Sequence, residues 1–414
     1  MASKQQEAIR YISENYLQFN RIRHDVVSDK LQIRLLGEEG KGERQEYWRE
    51  MTKQDINSIV CQCAQECDSN ITSREVMTVL QSDLVPSVHP LREYILSCRT
   101  WTKEQPDWID FVARQVKVKP SGEEAKVEEL WRECFKRWFV AMVASWMKDE
   151  VVNQQVLVLI GRQGIYKTTW LERLIPPHLR PYSCKLANTN DLNKDERMRI
   201  AEFGLIALDE IDSMNNRELN QLKSVITSSD VNERAAYAYT KERRVRLASF
   251  CASGNRRDFL TDLTGNRRWL PFEVESIQNP YFTVLPYEMM YAQAWALAQD
   301  PTFSYWFDLD EIEVLEQHNQ QFRDESNEEQ LLPILFDIPA EGKGEFFTTA
   351  QISERLVNFG NIKKPMALSR LGMVLGTAGY KATKRKIGNT QTRGWIVYQR
   401  DTDEINTLRR ILKD

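Results

Sequence analysis

Lys167, Thr168 and Thr169 close the loop Gly161-Arg162-Gln163-Gly164-Ile165-Tyr166, which itself follows the apolar run Val156-Leu157-Val158-Leu159-Ile160. A lysine ammonium beside hydroxyls at the end of a glycine-containing loop is chemistry suited to nucleotide phosphates. Backbone N–H groups converge on phosphate oxygens, the lysine gives the β and γ phosphates a point charge, and the next hydroxyl ligates Mg²⁺. Gly161, Gln163, Gly164, Tyr166, Lys167, Thr168 and Thr169 are therefore candidate nucleotide-binding residues, with ATP and Mg²⁺ as the expected ligands. One position departs from G-x-x-x-x-G-K-[ST]. Tyr166 precedes the lysine, where glycine serves a conformation or close approach that a side chain hinders. Either Tyr166 strains the loop, or the loop is built differently and Gly164 supplies the freedom.

A second apolar run, Phe203 to Leu208, ends in Asp209 and Glu210. At a strand tip Asp209 would hold Mg²⁺ and Glu210 would polarise an attacking water; the plainer reading is a helix cap with a first-turn acid. A third run, Ala248 to Ser253, ends in Gly254-Asn255. Asn255 could orient the water against the γ phosphate, although Gly-Asn is also an ordinary turn pair. Beyond it, Thr264-Gly265-Asn266 leads into Arg267 and Arg268. These are either salt-bridged surface groups or an arginine finger that neutralises charge on a nucleotide held by a neighbouring subunit.

The elements that would position these groups follow from periodicity. From Val151 to about Val274 the pattern alternates strand and helix, which predicts a parallel sheet with crossover helices. Ahead of it, Val127 to Met147 reads as a long amphipathic helix with Leu130, Phe135, Trp138, Phe139, Met142 and Trp146 as its core stripe. Residues 1–125 read as a mostly helical interaction domain, with a helix over Lys4 to Phe19, a strand over Lys30 to Leu36 and a helix start at Thr72 or Ser73. Residues 126–320 form the expected nucleotide domain, with Tyr281 to Gln320 helical, and residues 331–414 a last domain.

With 414 residues, 42% hydrophobic and 28% charged, the chain has the composition of a globular protein of two or three domains. Net charge is −4, so nucleic-acid binding must rest on local basic patches. No stretch reaches the ~18 apolar residues of a membrane span, and the N-terminus carries no signal pattern, which predicts a cytoplasmic protein. Seven cysteines at irregular spacing argue for a reducing compartment. Cys61, Cys63 and Cys67 lie in a helical stretch without a fourth ligand nearby, and His24, His89, His178 and His318 are scattered, so no metal centre of Cys or His is expected.

The order of these motifs resembles the ATPase core of the virulence-associated E family, grouped with superfamily-three helicases and phage and poxvirus primase-helicases. The residues that carry the resemblance are Gln163-Gly164, Lys167-Thr168-Thr169, Leu208-Asp209-Glu210, Ser253-Gly254-Asn255 and Thr264-Gly265-Asn266-Arg267-Arg268. It covers about residues 88–275, since Val88-His89-Pro90-Leu91-Arg92-Glu93-Tyr94 is similar to the family's lead-in. The departure is Tyr166, where most members carry glycine, and it bears on turnover more than on binding. The resemblance implies an α/β fold with a P-loop AAA+-like ATPase core, ATP bound between subunits of a ring, and a homo-oligomer with a hexamer as the expected ring.

In related helicases a β-hairpin ahead of the third strand enters the ring channel and touches DNA. Ala235 to Leu247 has the matching place and alternation, with Lys241, Arg243 and Arg244 set to meet phosphates; the alternative is a solvated edge hairpin. In the last domain, two helices precede a basic two-stranded ribbon, a winged-helix-like order. Lys381, Lys384, Arg385, Lys386 and Arg393 fall within thirteen residues that contain no acid, a candidate DNA surface or else a protein docking module. The function expected is a Mg²⁺-dependent ATPase acting on single-stranded or forked DNA in replication of a mobile element or phage, with no membrane partner. The alternatives are a nucleotide-gated oligomeric scaffold with weak or no turnover in a defence or regulatory role, and a DNA-binding regulator acting through its C-terminus.

Overall fold

Val156–Ile160 carries no polar side chain and is buried along its whole length. Such a run is what a strand covered on both faces requires. The computed structural model describes residues 3–36, 46–67, 70–120, 124–186, 200–233, 242–261, 266–340, 344–388 and 390–411. Two compact units divide the chain: Met1–Asn255 with Arg268–Glu311, and Arg256–Arg267 with Ile312–Asp414.

The first unit is built on a six-stranded sheet of order β5-β12-β6-β11-β8-β7. Its strands are β5 (Val116–Val118), β6 (Val156–Ile160), β7 (Ser183–Leu186), β8 (Leu205–Leu208), β11 (Ser249–Gly254) and β12 (Trp269–Ile277). All neighbouring pairs are parallel except β5, which runs antiparallel to β12 at the edge. The parallel sheet expected from the strand-helix alternation is thus present, and β6, β8 and β11 are wholly buried. Their C-terminal ends share one rim of the sheet.

The long helix Glu124–Met147 spans one face of this sheet. Its first half is amphipathic as the sequence predicts, but every residue from Trp138 to Trp146 is buried. The reason is a second cover: Tyr291, on helix Tyr287–Gln299, packs edge-on to Phe139 and stacks on Trp146. The tryptophans keep their indole donors satisfied, Trp138 Nε1 to Phe250 O (3.0 Å) and Trp146 Nε1 to Gly204 O (3.1 Å). Helix was expected from Tyr281 onward. It begins only at Tyr287, after Pro286, with residues 278–286 an irregular loop, and it breaks again between Gln299 and Leu309, where Pro301 falls.

The N-terminal region is less helical than the sequence predicts. Besides helices Lys4–Ile12, Lys53–Glu66 and Ser73–Leu80, it holds a four-stranded sheet of order β3-β2-β1-β4. These are β1 (Ile22–Asp25), β2 (Lys30–Leu36), β3 (Glu46–Glu50) and β4 (Ser87–Val88). The expected strand Lys30–Leu36 and the cap at Thr72 are both present; the Thr72 hydroxyl accepts from Arg74 N and Glu75 completes a capping box. Between β8 and β11, β9 (Asp230–Glu233) and β10 (Glu242–Val245) pair as an antiparallel hairpin.

In the second unit, helices Thr349–Gly360 and Leu368–Thr377 pack with β13 (Phe336–Asp337), β14 (Glu345–Phe347), β15 (Lys381–Ile387) and β16 (Thr390–Gln399). Leu356, Leu371, Leu375, Trp395 and Val397 form its core. The basic pair β15 and β16 follows the two helices as expected, but it is not a free two-stranded ribbon, since β13 and β14 also pair antiparallel with β16.

Candidate nucleotide site

The loop after β6 turns sharply through Gly164 at φ +85° and then Tyr166 at φ +69°, ψ 16°. Tyr166 caps the short helix Lys167–Glu172 in the left-handed conformation that glycine adopts freely and that costs other residues about 1–2 kcal/mol. Both sequence alternatives hold in part: Gly164 supplies freedom, and Tyr166 is still strained. Gly161 is fixed for another reason, since a Cβ there would lie 2.8 Å from Val274 O of the neighbouring strand.

Lys167 is 7% exposed, and its Nζ donates to Gly161 O (2.7 Å), Arg162 O (2.7 Å) and Asn255 Oδ1 (3.3 Å). Burial lowers its pKa, partly opposed by the charges of Asp212 and Asp209. Three strand ends then meet in one hydroxyl-carboxylate knot. Asp209 Oδ1 accepts from Ser253 Oγ (2.7 Å) and Thr168 Oγ1 (3.2 Å), and those two hydroxyls lie 2.9 Å apart. Asp209 Oδ2 pairs with Lys185 Nζ of β7 at 2.6 Å. Burial pushes the Asp209 carboxyl up, but the bonds from Lys185, Ser253 and Thr168 outweigh it and hold the group below its usual range.

Glu210 is exposed and, like Tyr166, left-handed at φ +54°, starting the 3-10 turn Ile211–Ser213. Asp212 in that turn accepts from Asn255 N at 3.0 Å and thereby fixes the tip of β11. The resulting cleft of about 360 Å³ is lined by Gln163, Gly164, Tyr166, Lys167, Thr168, Thr169, Asp209, Glu210, Ser253, Gly254, Asn255 and Tyr281. The structure therefore brings together the loop, the paired carboxylates and Asn255. Sequence reasoning did not single out Lys185, Asp212 or Tyr281. A basic residue on the strand beside Asp209 was the one available signal for the first; the others had none.

The remaining candidates fall elsewhere. Arg267 and Arg268 lie in the 3-10 turn Asn266–Arg268, Arg267 exposed and Arg268 half-buried, and neither lines the cleft. Lys241 lies outside the described residues, as does the side chain of Arg243. Arg244 is not held out for a ligand: its guanidinium pairs with Glu202 at 3.2 Å and donates to Val27 O at 2.6 Å. Lys384, Arg385 and Lys386 are exposed along β15, and Lys384 stands directly across from Arg393 on β16. Two like charges facing each other on a ribbon repel and favour an anionic partner.

The described residues hold no helix long and apolar enough to cross a membrane. No curated protein matches the chain. Among solved structures, the apo structure of the NrS-1 C terminal region (305-718) aligns at 12% identity and TM-score 0.48, covering 95% of this chain and 100% of that one. The A form apo structure of the same region aligns at 13% identity and TM-score 0.48, covering 94% of this chain and 99% of that one. A family model for the virulence-associated protein E-like domain matches residues 106–325, more than half of the chain and the whole span from β5 to the end of helix Leu309–Gln320. By that match, which contains the loop, Asp209-Glu210 and Asn255, the chain belongs to the virulence-associated protein E-like family.

Proposed function

We propose that this protein is a Mg²⁺-dependent ATPase with a P-loop, AAA+-like core of superfamily-three helicase type, acting on DNA as an oligomeric ring in replication of a mobile element or phage. The observation that carries the reading is the meeting of Lys167, Thr168, Asp209 and Ser253 at the C-terminal ends of adjacent parallel strands. Ligands of open α/β sheets bind at that rim. The oxygen donors Thr168 and Asp209 fit a hard divalent cation, which when bound would neutralise charge developing on the phosphates.

The chain's own residues divide the remaining work. Loop N–H groups orient the triphosphate, and Lys167 exchanges its contacts with Gly161 O and Arg162 O for phosphate oxygens. Glu210 at the open side of the cleft takes a proton from the attacking water, and Asn255, held by Asp212, orients that water. Arg267 or Arg268 is supplied by a neighbouring copy, since neither lines the cleft of its own chain. The replication setting and the ring rest on the motif order read from the sequence. Lys167→Ala should abolish ATP hydrolysis and strand separation together; unchanged turnover in that variant refutes the assignment.

A second reading is favoured by Tyr166. Its strained left-handed backbone, next to a lysine bonded to its own loop, suits a nucleotide-gated scaffold that binds ATP and turns it over slowly. Binding without hydrolysis in the presence of single-stranded or forked DNA selects this reading.

A further inference from the structure

A triphosphate in the cleft leaves its ribose and base unplaced, and a groove among the described residues adjoins it. Thr169, one residue past the Mg²⁺-ligand candidate Thr168, borders two clefts: the site above and a neighbouring one of about 460 Å³. The neighbour is walled by Glu172 of the same helix, by Arg173 just past its end, by Arg180, and by Cys184 and Lys185 of β7. Tyr281 borders both clefts as well, so it stands where the groove turns.

Tyr281 is 68% exposed, on the same loop as Phe282 at 88%. The loop is clipped to the helix that carries Thr169. Arg173 Nη2 donates to Thr283 O (3.3 Å), Thr283 Oγ1 donates to Asn279 O (3.0 Å), and the Tyr287 hydroxyl donates to Arg173 O (2.7 Å). The Tyr166 ring stands edge-on to Tyr281, with centroids 6.2 Å apart and planes at 81°. Tyr281 thus borders the groove with most of its surface exposed while one contact, with Tyr166, steadies the ring.

We propose that Tyr281 is the stacking platform for the base of a bound purine nucleoside triphosphate, and that the groove beyond Thr169 takes the ribose and base. This rests on the phosphate-site reading above and adds the nucleoside to it. Stacking on an exposed ring tolerates any base with a π face, and a purine offers the larger one. Tyr281 is then a residue of affinity, not of chemistry: it grips the nucleoside and leaves the phosphates alone.

The test compares calorimetric binding of Mg-ATP and Mg-tripolyphosphate to the full chain and to Tyr281→Ala, Tyr281→Phe and Lys167→Ala. Tyr281→Ala should weaken ATP about 10-fold or more, leave tripolyphosphate unchanged, and be rescued by Tyr281→Phe. An unchanged ATP affinity in Tyr281→Ala overturns the proposal, and so does equal weakening of both ligands, which would make Tyr281 a support of the loop. Tripolyphosphate binding insensitive to Lys167→Ala overturns the phosphate site itself, and the nucleoside platform with it.

Discussion

Lys185 places its ammonium 2.6 Å from Asp209 Oδ2, on the carboxylate oxygen not engaged by Thr168 and Ser253. A cation of the chain thus occupies one side of the group proposed to hold Mg²⁺, and metal and ammonium compete for it. Lys185→Met should lower the Mg²⁺ concentration needed for half-maximal ATP binding by up to about fivefold, the scale of a partly exposed ion pair. A Mg²⁺ titration followed by nucleotide fluorescence checks this. A higher Mg²⁺ requirement in the variant would mean that Lys185 helps hold the nucleotide instead.

Tyr166 sets glycine-like geometry against a side chain that resists it. Tyr166→Gly removes about 1–2 kcal/mol of left-handed strain and adds roughly 0.5–1 kcal/mol of unfolded-state freedom, so stability should hold or rise slightly while turnover per bound nucleotide increases. Tyr166→Ala keeps the strained backbone and loses the ring contact with Tyr281, and should be the less stable of the two in urea denaturation. Identical midpoints for the two variants would show that the left-handed strain at position 166 is no larger than the freedom glycine adds to the unfolded chain.

Arg246 is fully buried, and its guanidinium faces backbone carbonyls: Ile226 and Ser228 at the end of helix Asn216–Thr227, Asn153 O at 2.8 Å and Ala248 O at 3.0 Å. Burial lowers its pKa to about 9, so it stays charged at neutral pH. It caps the helix with a full charge and ties the hairpin exit to the sheet. Arg246→Met leaves those carbonyls without a donor and should cost about 2–4 kcal/mol, read as a loss of chemical stability; a cost below about 1 kcal/mol would refute the capping role.

His89 opens helix Pro90–Ser97, its Nδ1 accepting from Arg92 N at 3.3 Å, a bond that needs the neutral ring. Burial, with the Arg92 charge adding to it, lowers the pKa to about 4. The unfolded chain binds this proton near the ordinary histidine value of about 6.5, so between those values the unfolded state holds more protons and stability falls as pH drops. The window is on the order of 3 kcal/mol wide at about 1.4 kcal/mol per pKa unit. His89→Asn keeps a cap acceptor without a titrating ring, and its stability should be flatter from pH 6.5 to 4; an equal slope in both proteins excludes His89 as the source.

On the ribbon, Lys384 and Lys386 share a face with Arg393, while Arg385 points to the opposite face. If single-stranded DNA lies along the first face, Lys384→Ala with Lys386→Ala should reduce the salt slope of binding by about 0.7 per lost phosphate contact. Arg385→Ala should leave that slope unchanged. Fluorescence anisotropy across a salt series measures both, and equal losses would show that the two faces are not distinguished.

Much of the site was legible because β6, β8 and β11 are covered on both faces, and such strands must be written as unbroken apolar runs that stop where the chemistry starts. Edge and partly exposed strands leave no such trace. β1 reads Ile-Arg-His-Asp and β3 Glu-Tyr-Trp-Arg-Glu, so of the N-terminal sheet only β2, Lys30–Leu36, is legible as a strand. The same holds for Lys185, on the outer strand Ser-Cys-Lys-Leu, whose importance depends on which strand lies beside it. Tyr281 was hidden by a helical-looking stretch that two prolines interrupt. Arg244 looked like a phosphate contact because a sequence shows charge and not the carboxylate it meets.

Trp170 sits two residues past Thr168, buried, with its indole donating to Gln115 Oε1 and its ring against Trp131 and Phe135 of the long helix. Close-packed interiors transmit displacement and do not absorb it. The loop after β6 is therefore coupled to the long helix through one aromatic layer. A displacement at Thr168 would pass into that layer and so reach the far face of the sheet.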